Sequence, residues 1–135
     1  GRVDRDRAAL MATLPMGVRV FVSTQPADMR KSFDGLMALT RRSLGQDPVS
    51  GDLYAYVNRA GTMVKILYWT RGGFCVWAKR LETGRFAPWS SAQAAVTITD
   101  TQLMMWLDGI DLASLRQRKR FELPPRASSS ATMPL

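Results

Sequence analysis

Val18, Val20 and Val22 alternate with Arg19 and Phe21, so the stretch from Val18 to Ser23 predicts a first strand. Thr24-Gln25-Pro26-Ala27 breaks that alternation. Asp28 is a good helix N-cap, and Phe33, Leu36, Met37, Thr40 and Leu44 then recur at helical spacing up to Gly45, which predicts one early amphipathic helix. The run from Gln46 to Asp52 is turn chemistry, and Leu53-Tyr54-Ala55-Tyr56-Val57-Asn58 predicts a second strand before Arg59-Ala60-Gly61 turns the chain again.

From Met63 to Leu81 two β-rich runs flank Thr70-Arg71-Gly72-Gly73, a strong hairpin signal. Whether the turn centres on Arg71-Gly72 or Gly72-Gly73, the side chains divide in the same way. One face carries Met63, Lys65, Leu67, Trp69, Phe74, Val76, Ala78 and Arg80. The other carries Val64, Ile66, Tyr68, Cys75, Trp77, Lys79 and Leu81. Both are largely apolar, so one face must pack on helices and the other on something else. With a Gly72-Gly73 turn, Lys65 would stand opposite Arg80, a like-charge pair that an anion between them would relieve. The plainer reading of such cations is snorkelling at a sheet edge.

Glu82 to Phe86 reads as a turn into another extended piece, and Ala95-Val96-Thr97-Ile98 as a short strand. Thr99 with Gln102 forms a capping box that opens a late helix, with Leu103, Met104, Leu107 and Ile110 facing inward and Gly109 near its end. The expected fold class is α+β: a small antiparallel sheet of about four to five strands with one early and one late helix, and a basic C-terminal tail.

The chain has 135 residues and a mass of 15.1 kDa, which fits one domain with a modest core. Its 46% hydrophobic and 22% charged content is that of a globular chain and excludes a disordered one. The formal charge of +8 and the pI near 10.6 point to an anionic partner, nucleic acid ahead of a membrane surface. This charge divides unevenly. Residues 1–13, a charged N-terminal extension, hold +1; residues 14–111, the single expected domain, hold +3; residues 112–135 hold +4. That last segment carries Arg116, Arg118, Lys119 and Arg120, then Pro124-Pro125 and Ser128-Ser129-Ser130, and is expected to be a mobile basic tail.

There is no His and a single cysteine, Cys75, so imidazole-dependent catalysis, zinc clusters and disulfide frameworks fall away. The carboxylates read as caps and turn formers rather than a metal cluster, and no glycine-rich phosphate loop with a following lysine is present. By subtraction the chain is a non-catalytic binding or assembly protein with no cofactor and no metal. The absence of a long apolar run and the charged start suit a cytoplasmic location rather than a membrane.

Four blocks occur in order: Asp28-Met29-Arg30-Lys31-Ser32-Phe33-Asp34-Gly35-Leu36, Gly45-Gln46-Asp47-Pro48-Val49-Ser50-Gly51, Lys65-Ile66-Leu67-Tyr68-Trp69, and Lys79-Arg80-Leu81-Glu82-Thr83-Gly84-Arg85-Phe86. In these, from about Leu14 to Asp111, the chain resembles the TnpB accessory proteins of the IS66 class of bacterial insertion sequences. Departures at Ala60, Thr70 and Pro88-Trp89 fall in turns and bear on loop contacts more than on fold. The resemblance implies a small protein encoded beside a transposase and needed, with a second small accessory protein, for efficient DNA transposition in a bacterial cytoplasm, associated with the nucleoid.

The cations that match the resemblance are Arg30, Lys31, Lys65, Lys79, Arg80 and Arg85, and phosphate contact is a fitting role for each. If Asp28 caps the helix, Arg30 and Lys31 fall in its first turn, where the macrodipole disfavours cations. Two functions follow. In one, a basic sheet face and the tail residues Arg116, Arg118, Lys119 and Arg120 neutralise the phosphates of transposon-end DNA. In the other, an exposed hairpin face with Trp69, Phe74 and Trp77 docks on the transposase without touching DNA.

Overall fold

The computed structural model describes residues 17–109 together with Leu10. Five strands form one mixed sheet: β1 (Val20–Ser23), β2 (Leu53–Val57), β3 (Met63–Thr70), β4 (Gly73–Arg80) and β5 (Ala95–Ile98). Their spatial order is β4-β3-β2-β1-β5. Helix α1 (Phe33–Arg42) lies between β1 and β2 in the chain, and α2 (Asp100–Leu107) follows β5. The α+β class with an early and a late helix is therefore as expected.

One pairing departs from an all-antiparallel sheet. β1 and β2 run parallel, with Val20 beside Leu53 and Val22 beside Ala55, while the other three pairs are antiparallel. Short hairpin-like links dominate the sequence pattern, but the β1 to β2 connection contains a whole helix. Such a crossover returns the chain to the same end of the sheet and makes the neighbour parallel.

Period-two alternation assigns the two cores. Val20, Val22, Leu53, Ala55, Val64 and Ile66 pack with Phe86, Leu103, Trp106 and Leu107 on the α2 side, where Leu10 is also buried. Phe21, Tyr54, Tyr56 and Leu67 pack with Leu36 on the α1 side. The hairpin divides as its sequence predicts: Cys75, Trp77 and Leu81 lean on the α2-side core, Phe74 and Val76 on the α1-side core. Each face thus receives one helix, and the α2 face also receives the segment carrying Phe86, Ala87 and Trp89.

The hairpin turn is Arg71-Gly72, both at positive φ (53° and 79°), as a type I′ turn requires. Thr70 then pairs with Gly73, which places Lys65 opposite Ala78 and Arg80 opposite Met63. The Lys65/Arg80 juxtaposition that depended on a Gly72-Gly73 turn does not form. Gly73 serves instead as the first residue of β4.

Helix α1 begins later than its sequence pattern suggests. Its N-cap is Ser32, without a side-chain cap bond, and Asp28 closes a separate turn in which its Oδ1 accepts the Arg30 backbone N–H at 2.9 Å. Aspartate makes such local turns as readily as helix caps, and here the turn wins. Arg30 and Lys31 accordingly precede the helix instead of lying in its first turn. Leu36 and Thr40 are buried as the spacing predicts, whereas Phe33 is 46% exposed. At α2 the Thr99/Gln102 capping box forms. Trp106 joins Leu103 and Leu107 inside, Met104 is half-buried, and Ile110 lies outside the described residues.

Candidate nucleic-acid interface

The cations of the sequence analysis divide between structural and free roles. Lys65 rises from β3 on the α1 side, and its Nζ donates to the backbone carbonyl of Lys31 at 2.8 Å. Lys79 lies on the opposite face, where its Nζ donates to the carbonyl of Leu107 at 2.8 Å. That carbonyl ends α2, so the lysine satisfies an orphan acceptor at the negative end of the helix.

Arg30 and Arg80 are held by neighbouring carboxylates. Arg30 Nε and Nη2 donate to both oxygens of Asp28 at 2.8 to 3.1 Å, and Arg80 Nε donates to Glu82 Oε2 at 3.2 Å. Hydrogen bonds from the Arg30 side chain and backbone hold the Asp28 carboxyl down at about 2, and the same contact pushes the Arg30 guanidinium up. Both pairs are exposed, so solvent screens them. Lys31 lays its stem over Gly35, where an added Cβ would come within 2.9 Å of it. Arg85 is exposed beside Gly61. Arg116, Arg118, Lys119 and Arg120 lie outside the described residues.

Four cations absent from the sequence-derived set complete the picture. Arg41 and Arg42 end α1, Arg59 sits in the β2–β3 turn and Arg71 at the hairpin tip, all exposed. Together with Arg85 they meet no carboxylate among the described residues. β2 and β3 run antiparallel, so Arg71 stands at the end of the sheet where β2 begins. Arg59 and Arg85 stand at the other end, around Gly61. The adjacent Arg41-Arg42 pair was the one visible signal in sequence. Nothing local distinguishes Arg59 or Arg71 from ordinary turn residues.

Arg19 shows what a fully structural cation looks like here. Its Nη2 donates to Asp52 Oδ2 at 2.9 Å, its backbone N–H donates to Asp52 Oδ1, and its guanidinium lies 5.3 Å from the Phe21 ring centroid.

Trp69, Phe74 and Trp77 of the hairpin are half-buried, and Tyr68 is buried. Trp69 and Phe74 meet edge to face at 4.8 Å near the tip, on the α1 side, and Trp77 packs against the α2-side core. The structure thus places Trp69 and Phe74 together and Trp77 on the other face. Among the described residues the exposed large hydrophobics are Phe33 and Val49, which are not on the hairpin.

No group of three or more His, Cys, Asp or Glu side chains that could hold a metal ion occurs among the described residues. Cys75 is a half-buried free thiol. No helix among the described residues is long and apolar enough to cross a membrane.

Residues 18–117 match the family described as IS66 Orf2-like protein. The chain belongs to this IS66 Orf2-like family. It is also similar to two proteins of Sinorhizobium fredii that carry the names uncharacterized protein y4hO and uncharacterized protein y4jC. The first is 38% identical over 101 residues, covering 73% of this chain and 87% of the relative. The second is 28% identical over 102 residues, covering 76% and 87%. No solved structure matches the chain. As an IS66 Orf2-like protein, the chain has an accessory role in transposition as its family setting.

Proposed function

We propose that this IS66 Orf2-like protein is a non-catalytic accessory factor that binds the DNA of its insertion sequence through exposed arginines. The observation that carries this reading is the contrast between covered apolar surface and uncovered charge. Both sheet faces are closed by helices, while Arg41, Arg42, Arg59, Arg71 and Arg85 stay exposed with no carboxylate partner among the described residues. Arginines left in water with no internal role suit phosphate contact, and each phosphate neutralised releases a counterion. The +8 charge of the chain and its basic tail add a longer-range attraction for the same partner.

Docking on the transposase, or on a second small accessory protein of the element, is the second reading, and one feature favours it. β4 is an eight-residue strand at the edge of the sheet. Leu81 N–H bonds to the Thr62 carbonyl, so the odd-numbered residues of β4 face β3. Phe74, Val76, Ala78 and Arg80 therefore turn their backbone groups outward, as a strand-adding partner requires.

The test is binding of the full chain to a labelled transposon-end duplex and to a scrambled duplex across a salt series. The expected result is affinity that falls steeply with salt, weakened for both duplexes in an Arg41→Ala/Arg42→Ala variant. Absence of binding to either duplex at low salt overturns the DNA reading. Salt-insensitive capture of the purified transposase, lost when β4 is blocked by Val76→Pro, would establish the second reading in its place.

A further inference from the structure

At the carboxyl ends of the parallel strands β1 and β2 lies a cleft of about 170 Å³, lined among others by Gln25, Arg59, Gly61, Phe86, Trp89 and Trp106. Crevices outside the carboxyl ends of parallel strands are common ligand sites. Pockets that enclose a drug-sized ligand run to roughly 300–1,000 Å³, so this one holds a single planar group rather than an extended molecule.

Its aromatic lining is ordered from beneath. Phe86 and Trp106 are buried, with Trp106 Nε1 donating to the Ala87 carbonyl at 2.7 Å. Trp89 stands edge on to Trp106 at 5.8 Å and keeps partial exposure, so it is the ring of the three with surface to offer. Its Nε1 is buried without a hydrogen-bond partner, the one such side-chain atom among the described residues. A buried donor left unpaired is unfavourable, and an acceptor brought into the cleft with a small movement of the indole would relieve it.

The other polar groups sort into used and free. Ser23 and Thr24 hydroxyls donate to the carbonyls of Gln25 and of residues 93 and 94, and the Asn58 amide is bonded to Thr62 and Met63. The Gln25 amide and the Arg59 guanidinium have no partner among the described residues. Arg85, exposed and without a carboxylate partner among the described residues, neighbours the cleft through Gly61, since its Cβ lies 3.5 Å from where a Cβ on that glycine would stand.

We propose that this cleft receives one unpaired nucleotide, with its base against Trp89, its edge at the Gln25 amide, and its phosphate between Arg59 and Arg85. The ligand must offer a flat face, a hydrogen-bonding edge and a negative charge together, which is the chemistry of a nucleotide. A base inside a duplex has its faces stacked and its edge paired, so an unpaired one is needed. This inference rests on the DNA reading above and names the structure in DNA that the protein prefers.

The experiment measures the full chain against a paired duplex, the same duplex with one unpaired fluorescent adenine analogue, and free adenosine monophosphate. We expect about five- to tenfold tighter binding to the duplex with the unpaired base, and a change in the analogue's fluorescence. Arg59→Ala and Trp89→Phe should abolish most of that preference, the first by removing the charge and the second by removing the donor while keeping a ring. Arg41→Ala/Arg42→Ala should weaken both duplexes alike and leave the ratio unchanged. Equal, salt-sensitive binding to both duplexes overturns the cleft proposal and leaves the DNA reading standing. No binding to either overturns both. Competition by free adenosine monophosphate, lost in Arg59→Ala, without preference for the unpaired duplex, overturns DNA as the source of the nucleotide.

Discussion

The ammonium of Lys65 is tied to the backbone carbonyl of Lys31 at 2.8 Å, so a cation that the sequence offers as a phosphate contact is bonded within the protein. This bond fastens the turn before α1 to the middle of β3. Removing the charge while keeping an apolar stem isolates that role. Lys65→Met should lower stability by about 1–2 kcal/mol in urea unfolding, as expected for a charge-assisted bond to a partly buried acceptor. The salt slope of DNA binding should change by well under one unit, whereas Arg41→Ala/Arg42→Ala should reduce it by more than one. A large slope change with unaltered stability would return Lys65 to the interface.

A second hydrogen bond, 2.6 Å between Thr40 and Tyr56, joins α1 to β2 inside the core. Thr40 Oγ1 already donates to the Leu36 carbonyl, so the Tyr56 hydroxyl is the donor to Thr40. Tyr56→Phe should cost about 1 kcal/mol. Thr40→Val should cost more, about 1–3 kcal/mol, because it strands the buried Tyr56 hydroxyl. Equal costs in thermal or urea unfolding would contradict the assigned donor.

Burial pushes the Tyr56 phenol up to about 12. The folded state therefore holds this proton more tightly than the unfolded chain. The resulting stability is complete below pH 10, the ordinary value, and is lost as pH rises toward 12. Alkaline unfolding midpoints should shift less with pH over this window in Tyr56→Phe than in the wild type.

At the acidic end the sign reverses. Asp28, held near 2 by Arg30, favours the folded state above its ordinary value of 3.8, and that preference fades as pH falls toward 2. Because the pair is exposed, the readout is local: carbon chemical shifts of the Asp28 carboxyl should titrate near 2, and in Arg30→Ala at a higher pH that stays below the ordinary value, since the backbone N–H of residue 30 remains to donate. A carboxyl that titrates near 3.8 in the wild type would show that the pair does not persist in water.

The hairpin tip sets stability against charge. Arg71 occupies a left-handed conformation that asparagine or glycine adopts with less strain. Arg71→Asn should raise stability by roughly 0.5–1 kcal/mol while weakening DNA binding at moderate salt. Stabilisation without any loss of binding would remove Arg71 from the interface.

By itself the sequence determined the local structure of this protein. Period-two alternation assigned β1 to β5 and the side of the sheet that each hairpin residue takes, because a strand's geometry is fixed by its own backbone. The Thr99/Gln102 box marked the start of α2 for the same reason, since its two bonds span three residues. Four ordered blocks sufficed to point to the family.

Tertiary structure decided everything that depends on which distant groups meet. Whether Asp28 caps a helix or closes a turn, and which pair of residues turns the hairpin, are close local alternatives that the sequence leaves open and the folded chain resolves. The parallel pairing of β1 with β2 followed from where α1 lays the chain down. Lys65 and Lys79 read in sequence like any other cations of the hairpin, and their partners lie 34 and 28 residues away. Which charges are left without a carboxylate partner among the described residues, and that Arg59 and Trp89 line one cleft, are properties of that assembly. Charge is carried by the residue, but its availability is set by the carbonyls and carboxylates that folding brings within reach.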